Sequence, residues 1–148
     1  MRGRGGSGFS LTELLVTLVV IGILAAIIIP ALINALDKSR QKRTMADLRL
    51  LGGGIETYSI DQGTYPIGDL SALDILEPGY MDDLIRVDAW GHSLIFEGLL
   101  AEYTLGSPGK DGGASLGLTD GGGPTKNFND DIIYRMGSFT QWPEGTQE

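Results

Sequence analysis

The chain has 148 residues, 42% hydrophobic and 20% charged, with 19 acidic against 11 basic residues and a formal net charge of −8. It contains no cysteine, which excludes disulfide frameworks, thiol nucleophiles and cysteine-held metals. From Leu51 onward sixteen acidic residues stand against four basic ones, so this part repels polyanions and is ill suited to nucleic acid.

In chain order, a basic, glycine-rich start with Arg2 and Arg4 leads into an uncharged apolar run from Leu14 to Ile33. A helix of about 20 residues, rising about 1.5 Å each, crosses a hydrocarbon core of roughly 30 Å, so the run predicts a membrane-spanning helix. Glu13 stands just inside its start. An ionisable group there costs a few kcal/mol or more in lipid, which marks a functional site in need of a partner. Two plainer readings are a secretory signal peptide and a single-pass anchor with an incidental glutamate. A signal peptide's apolar core is about 7 to 15 residues and ends at a small-residue cleavage site, whereas this run closes on Ile27-Ile28-Ile29-Pro30.

The stretch Gly8-Phe9-Ser10-Leu11-Thr12-Glu13, with Pro30 beyond it, resembles the processing site of type IV pilins and type II secretion pseudopilins. The resemblance implies that a membrane peptidase cuts after Gly8 and methylates the new amino terminus at Phe9. It also implies that Glu13 neutralises the Phe9 amine of a neighbouring subunit, so that two groups costly in lipid become tolerable in an assembly. Phe9, Glu13 and Pro30 are then the assembly residues. The expected organisation is a leader over 1–8, a transmembrane and filament-core helix over 9–35, and a soluble domain over 36–148.

Lys38, Arg40, Lys42 and Arg43 follow the apolar run and compete with Arg2 and Arg4 for the cytoplasmic side. Orientation is therefore taken from the processing motif. The cluster suits lipid headgroups, acidic faces of neighbouring subunits, or simply a solvated helix turn. Leu48, Leu51, Ile55 and Tyr58 recur at helical spacing and extend the helix as an amphipathic half, with a kink permitted at Pro30. Gly52-Gly53-Gly54 weakens that half by about 1 kcal/mol per glycine, and close packing against a sheet is the expected reason. Gly63, with Pro66 after it, is the expected stop.

Tyr58, Asp61, Gly63, Tyr65-Pro66, Leu70, Leu73 and Asp88-Ala89-Trp90-Gly91, in that order and spacing, resemble the major pseudopilins of type II secretion. Ser71 is the expected N-cap of a short helix and Trp90 an apolar anchor. Ser93 to Phe96 and Leu99 to Leu105 predict a hairpin turning at Glu97-Gly98, and Ile132 to Met136 predicts a third strand. The fold class is α+β, a long helix on a small antiparallel sheet, type IV pilin-like.

The loop 105–131 gathers glycines with Ser107, Asp111, Asp120, Asp130 and Asp131. Carboxylates on flexible backbone suit a hard cation such as calcium. The run from Tyr103 to Gly113, ending at Asp130-Asp131-Ile132, is similar to the calcium loop of the major pseudopilins. That resemblance implies Asp111, Asp130 and Asp131 as acidic ligands, and Leu105 and Ser107 as carbonyl or hydroxyl ligands. The stretch from Ala114 to Asn129 is longer than the family suggests, leaving Asp120 as a substitute ligand and a metal-free acidic loop as the alternative.

An enzyme finds little support: His92 is the single histidine, and no nucleophile elbow or phosphate loop is present. The resemblance implies a subunit of a homo-oligomeric filament, anchored in the bacterial inner membrane with its soluble domain in the periplasm. Its implied partners are the prepilin peptidase and methylase, minor pseudopilins, and an inner-membrane platform with its ATPase. The resemblance further implies that this filament drives protein export across the outer membrane. A type IV pilin or competence-type pseudopilin, serving adhesion, motility or DNA uptake, is the second reading.

Overall fold

The computed structural model describes residues 8–113 and 122–145; Arg2, Arg4 and Asp120 lie outside them. Backbone contacts divide the chain into one unit ending at Leu36 and a second beginning at Asp37. Helix α1 runs Leu11–Gln62 and contains Pro30. It is the helix, among the described residues, that is long and apolar enough to cross a membrane. In the first unit its apolar side chains are exposed, among them Leu18, Ile21 and Ile27, so this unit buries no core of its own. The one hydroxyl with a partner inside the run, Thr17, donates to the Leu14 carbonyl at 2.8 Å.

From Asp37 onward α1 becomes one-sided. Its buried positions are Asp37, Gln41, Thr44, Leu48, Leu51 and Ile55, with Gly52 and Gly54 beside them. Spacings of four and three keep the first six on one face. The stripe is polar for its first three members and apolar for the rest. Gln62 ends the helix; Gly63, at φ +76°, donates to the Ser59 carbonyl at 2.8 Å, as the positive-φ stop requires.

A 3-10 helix, Leu70–Leu76, follows and buries Leu73 and Leu76. Its cap is Asp69 and not Ser71. The Asp69 carboxylate accepts from the Ser71 amide at 3.0 Å and hydroxyl at 2.6 Å, because a carboxylate two residues ahead offers both donors one acceptor.

Five strands make one sheet: β1 (Ile95–Gly98), β2 (Tyr103–Ser107), β3 (Gly123–Thr125), β4 (Ile132–Arg135) and β5 (Ser138–Pro143), in the order β1-β2-β4-β5-β3. All neighbours are antiparallel except β3 with β5, which are parallel. Three features depart from the sequence reading. Glu97 and Gly98 belong to β1, and the turn lies over Leu99 to Glu102, closed by Leu99 N to Glu102 O at 2.8 Å. Gly98 is a close-approach glycine: a Cβ there would meet the Pro66 carbonyl at 1.9 Å, and its backbone pairs with Gly68 in both directions. Next, β4 ends at Arg135 because Met136 (φ 47°) and Gly137 (φ 81°) form the two-residue, positive-φ turn that suits a tight hairpin. That hairpin adds β5. Finally, β3 contains Pro124, which an edge strand tolerates.

Leu48, Leu51 and Ile55 of α1 share a core with Leu73, Leu76, Leu84, Leu94, Phe96, Tyr103, Leu105 and Ile132. Two of the three consecutive glycines at 52–54 are explained by contact. A Cβ on Gly52 would lie 2.4 Å from a Tyr134 ring carbon, and one on Gly54 would lie 2.9 Å from Met81. Gly53 has open space around it. Gly52→Ala is accordingly expected to destabilise the domain by about 1 to 3 kcal/mol through overpacking. Gly53→Ala is expected to stabilise it by up to about 1 kcal/mol through helix propensity. Thermal unfolding of the two variants, followed by circular dichroism, should move the midpoint in opposite directions.

Candidate functional site

The first unit's site is the start of α1. Gly8 and Phe9 precede the helix in non-helical backbone, both exposed. Ser10 caps it: its hydroxyl accepts from the Thr12 amide at 3.3 Å, while a Glu13 oxygen accepts from the Ser10 amide at 2.9 Å. The Glu13 bond back to the Ser10 amide is the glutamate half of a capping box, the serine hydroxyl taking the Thr12 amide in place of that of Glu13, and the serine-x-x-glutamate spacing at 10 and 13 is the sequence signal for it. The sequence reading sought a partner for Glu13 on another subunit only. In the structure the carboxylate already has a backbone donor within its own chain, and it lies where the helix dipole favours an anion. Pro30 lies inside the helix, where it has no N–H to donate to the Ala26 carbonyl.

The second unit's site is a pair of loops tied to the polar part of the α1 stripe. Asp88 organises the first. One of its buried carboxylate oxygens accepts from the amides of Trp90 and His92, both at 2.9 Å, and the other accepts from the Ser107 hydroxyl at 2.8 Å. His92 Nδ1 donates to the Gly109 carbonyl at 2.9 Å, a structural contact that occupies the only imidazole. The Ala89 amide donates to Thr44 Oγ1 at 3.1 Å, which joins this loop to the helix.

Asp37 makes the second tie. Its carboxylate is almost wholly buried and accepts from Lys110 Nζ at 2.8 Å, Trp90 Nε1 at 3.3 Å and Arg40 Nη1 at 3.3 Å. Trp90 thus ties its loop to the helix through its indole nitrogen; it is half-buried and outside the hydrophobic core, not the apolar core anchor the sequence suggested. Burial alone pushes the Asp37 pKa up. The bonds from Lys110 and Trp90, the Lys110 charge and the bond from Arg40 outweigh it and hold the group below its ordinary 3.8. The sequence reading missed both Asp37 and Asp88 as hubs. The available signal for Asp37 was a single acid within a basic cluster, on the face that continues the Leu48 stripe.

The residues singled out for calcium fall around the second loop. Leu105 and Ser107 belong to β2 and are buried, and Ser107 Oγ also accepts from the Gly109 amide at 3.3 Å. Gly109 (φ +69°) brings this segment against 129–130, whose carbonyls lie 2.8 Å from where its Cβ would be. The Lys110 amide donates to Phe128 O at 2.9 Å. Asp111 is exposed and accepts from the Gly113 amide at 3.0 Å; Asp130 accepts from the Asn127 amide at 3.3 Å. Asp131 is buried, its carbonyl accepting from Gln141 Nε2 at 2.8 Å. The structure therefore brings 107–110 and 128–131 together, with Asp111 at the rim. Among the described residues no three acidic or histidine side chains gather at metal-holding distance. A cation here would draw largely on carbonyl oxygens, which calcium accepts.

A long apolar helix with an acidic residue at its start, continuing into a small α+β domain, defines a membrane-anchored, pilin-like subunit. Residues 4–29 match the prokaryotic N-terminal methylation motif, and residues 31–121 match the model for type II secretion system (T2SS), protein G. The chain belongs to the type II secretion system protein G family. It is 30% identical to the type II secretion system core protein G of Vibrio cholerae serotype O1, over 84% of this chain and 97% of that one. The core protein G of Aeromonas hydrophila is also 30% identical, over 86% and 99%. That of Klebsiella pneumoniae is 31% identical, over 84% and 91%. No solved structure matches the chain.

The Asp37 ties carry a pH signature. A carboxylate whose folded pKa lies below its unfolded one contributes fully above the unfolded value and loses that contribution as pH falls through the folded one. Asp37→Asn is expected to cost about 1 to 3 kcal/mol at neutral pH, the range for a hydrogen bond to a charged group. It should also flatten the fall of stability below about pH 4. Urea unfolding of parent and variant at pH 7 and through the acid range measures both effects.

Proposed function

We propose that this chain is the structural subunit of a type II secretion pseudopilus, cut after Gly8, methylated at Phe9 and polymerised through the apolar helices over 9–35. The observation that carries the reading is Glu13: a carboxylate at the head of an uncharged, uncovered helix, within a matched N-terminal methylation motif. Uncovered apolar side chains from Leu11 to Leu36 need lipid before assembly and neighbouring helices after it. In the membrane the capping box meets one acceptor demand of Ser10 and leaves the second carboxylate oxygen for an incoming amine. The ammonium created at Phe9 by cleavage, supplied by a neighbouring copy, fits that oxygen. Each desolvated charge then has its counter-ion, which neither has alone.

In this reading the chain spans the inner membrane once, with the domain from residue 37 in the periplasm. The prepilin peptidase processes it, and an assembly platform with its ATPase, together with minor pseudopilins, extends and tips the filament. The match to the protein G family favours this over a type IV pilin or a competence pseudopilin. Glu13→Ala is expected to leave membrane insertion intact and to reduce filaments at least tenfold. Electron microscopy of cells overexpressing each form, with mass spectrometry of the mature amino terminus, tests it. A retained leader in cells with active peptidase, or normal filaments from the variant, overturns the reading.

The loop over 105–131 is proposed to hold one structural calcium, using Asp111, Asp130 and Asp131 with oxygens of Leu105 and Ser107. Support comes from the junction of 107–110 with 128–131 and from the surplus of acid there. A ligand that binds only the folded state stabilises by mass action, so millimolar calcium should raise the melting temperature and chelator should lower it. Asp130→Asn with Asp131→Asn should abolish that response. An unchanged melting temperature in calcium and in chelator removes the proposal.

A further inference from the structure

We infer that the groove beside Gly53 receives the basic helix segment Lys38–Arg43 of a second copy, an inference that rests on the filament reading. The groove has a volume of about 660 Å³. Gly53 and the exposed Leu50 form one side, and Tyr80, Met81, Asp82 and Asp83 form the other. Arg49 also lines it, with its guanidinium carried 5.0 Å over the Phe139 ring.

Gly53 is the first clue. Gly52 and Gly54 are held to glycine by Tyr134 and Met81, but a Cβ on Gly53 would touch nothing in its own chain. A mid-helix glycine that its own fold does not require suits close approach of something from outside. Charge is the second clue. Asp82 and Asp83 are exposed and have no ion pair among the described residues. The basic cluster after the apolar run contains the complementary charge. Arg40 is engaged by Asp37 in its own chain, whereas Lys42 is exposed with no ion pair among the described residues. Arg43 is exposed and reaches Asp47 only at 3.8 Å.

Acid at the groove and base on the helix are two different surfaces of one chain. A contact between them is head-to-tail and does not close on itself, which is the geometry of a filament and not of a dimer. Lys42 and Arg43 of one copy face Asp82 and Asp83 of the next, and the bare backbone at Gly53 admits the incoming helix. Opposed charges of this kind set register and partner choice more than raw affinity.

Because the chain has no cysteine, paired cysteines report the contact cleanly. In the full-length chain, Lys42→Cys combined with Asp83→Cys should give a ladder of disulfide-linked multimers on mild oxidation in filament-forming cells, and neither single variant should. Asp82→Lys with Asp83→Lys should cut filament yield at least tenfold, and adding Lys42→Asp with Arg43→Asp should restore it. Gly53→Leu should keep or raise the melting temperature while lowering filament yield, which a purely structural glycine would not do. Normal filaments from the lysine pair, or no ladder where the parent polymerises, overturns the inference while leaving the filament reading intact. The same holds if loss of Lys42 and Arg43 weakens only binding to phosphatidylglycerol vesicles. A parent chain that forms no filaments with its secretion system present counts against both.

Discussion

The folded domain depends on one face of α1 that changes character along its length. Asp37, Gln41 and Thr44 present polar groups, and Leu48, Leu51 and Ile55 present hydrocarbon, all buried on the same stripe. The hydrocarbon part organises the sheet and the 3-10 helix by burial, which is non-directional and tolerant of detail. The polar part behaves differently. A buried carboxylate at Asp37 must be met by donors at defined angles, and those donors come from residues 90 and 110. Thr44 fixes the loop at Ala89 in the same way. The loops around 88–92 and 107–111, poor in apolar side chains, thus take their conformation from hydrogen bonds to the helix and not from a core of their own.

The three consecutive glycines of α1 show how one residue type serves different ends. Gly52 lets the helix backbone reach Tyr134 of β4, and Gly54 makes room for Met81. Both trade helix propensity for close packing, and the packing return lies within the fold. Gly53 lies between them, pays the same conformational cost and has no internal return. The asymmetry is visible only when each position is set against its neighbours in space, since in the sequence the three are indistinguishable.

What was legible in the sequence follows from the range of the interactions involved. The long helix, its apolar stripe and its stop at Gly63 are local, periodic features, and all three appear as read. The hairpin register was not: Gly98 looked like a turn residue, but its role is set by the Pro66 carbonyl and Gly68, some thirty residues earlier in sequence. Strands β3 and β5 escaped notice because β3 has three residues including a proline, and β5 is specified chiefly by the turn at Met136-Gly137. At the site, the processing motif was legible because it is a contiguous string. Asp37 was not, because its partners Trp90 and Lys110 lie 53 and 73 residues away.

The two acidic residues that matter most, Glu13 and Asp37, solve the same problem under different conditions. Asp37 is withdrawn from water by the fold, Glu13 would be by the proposed membrane and filament setting, and neither carboxylate is stable there without donors. Asp37 gathers its donors from its own chain, so its charge is compensated as soon as the domain folds, and it can serve as a permanent joint. Glu13 has one backbone donor from Ser10 and no cation among the described residues, so within them its charge is incompletely compensated. A charge completed by folding locks a fold, and a charge left incomplete by folding favours association with whatever supplies the missing cation. The same distinction separates Arg40, which Asp37 engages within the chain, from Lys42 two residues on, which is exposed and has no ion pair among the described residues. Intramolecular compensation at Asp37 therefore marks what holds the domain together, and in the proposed filament the charges left uncompensated are where subunits meet.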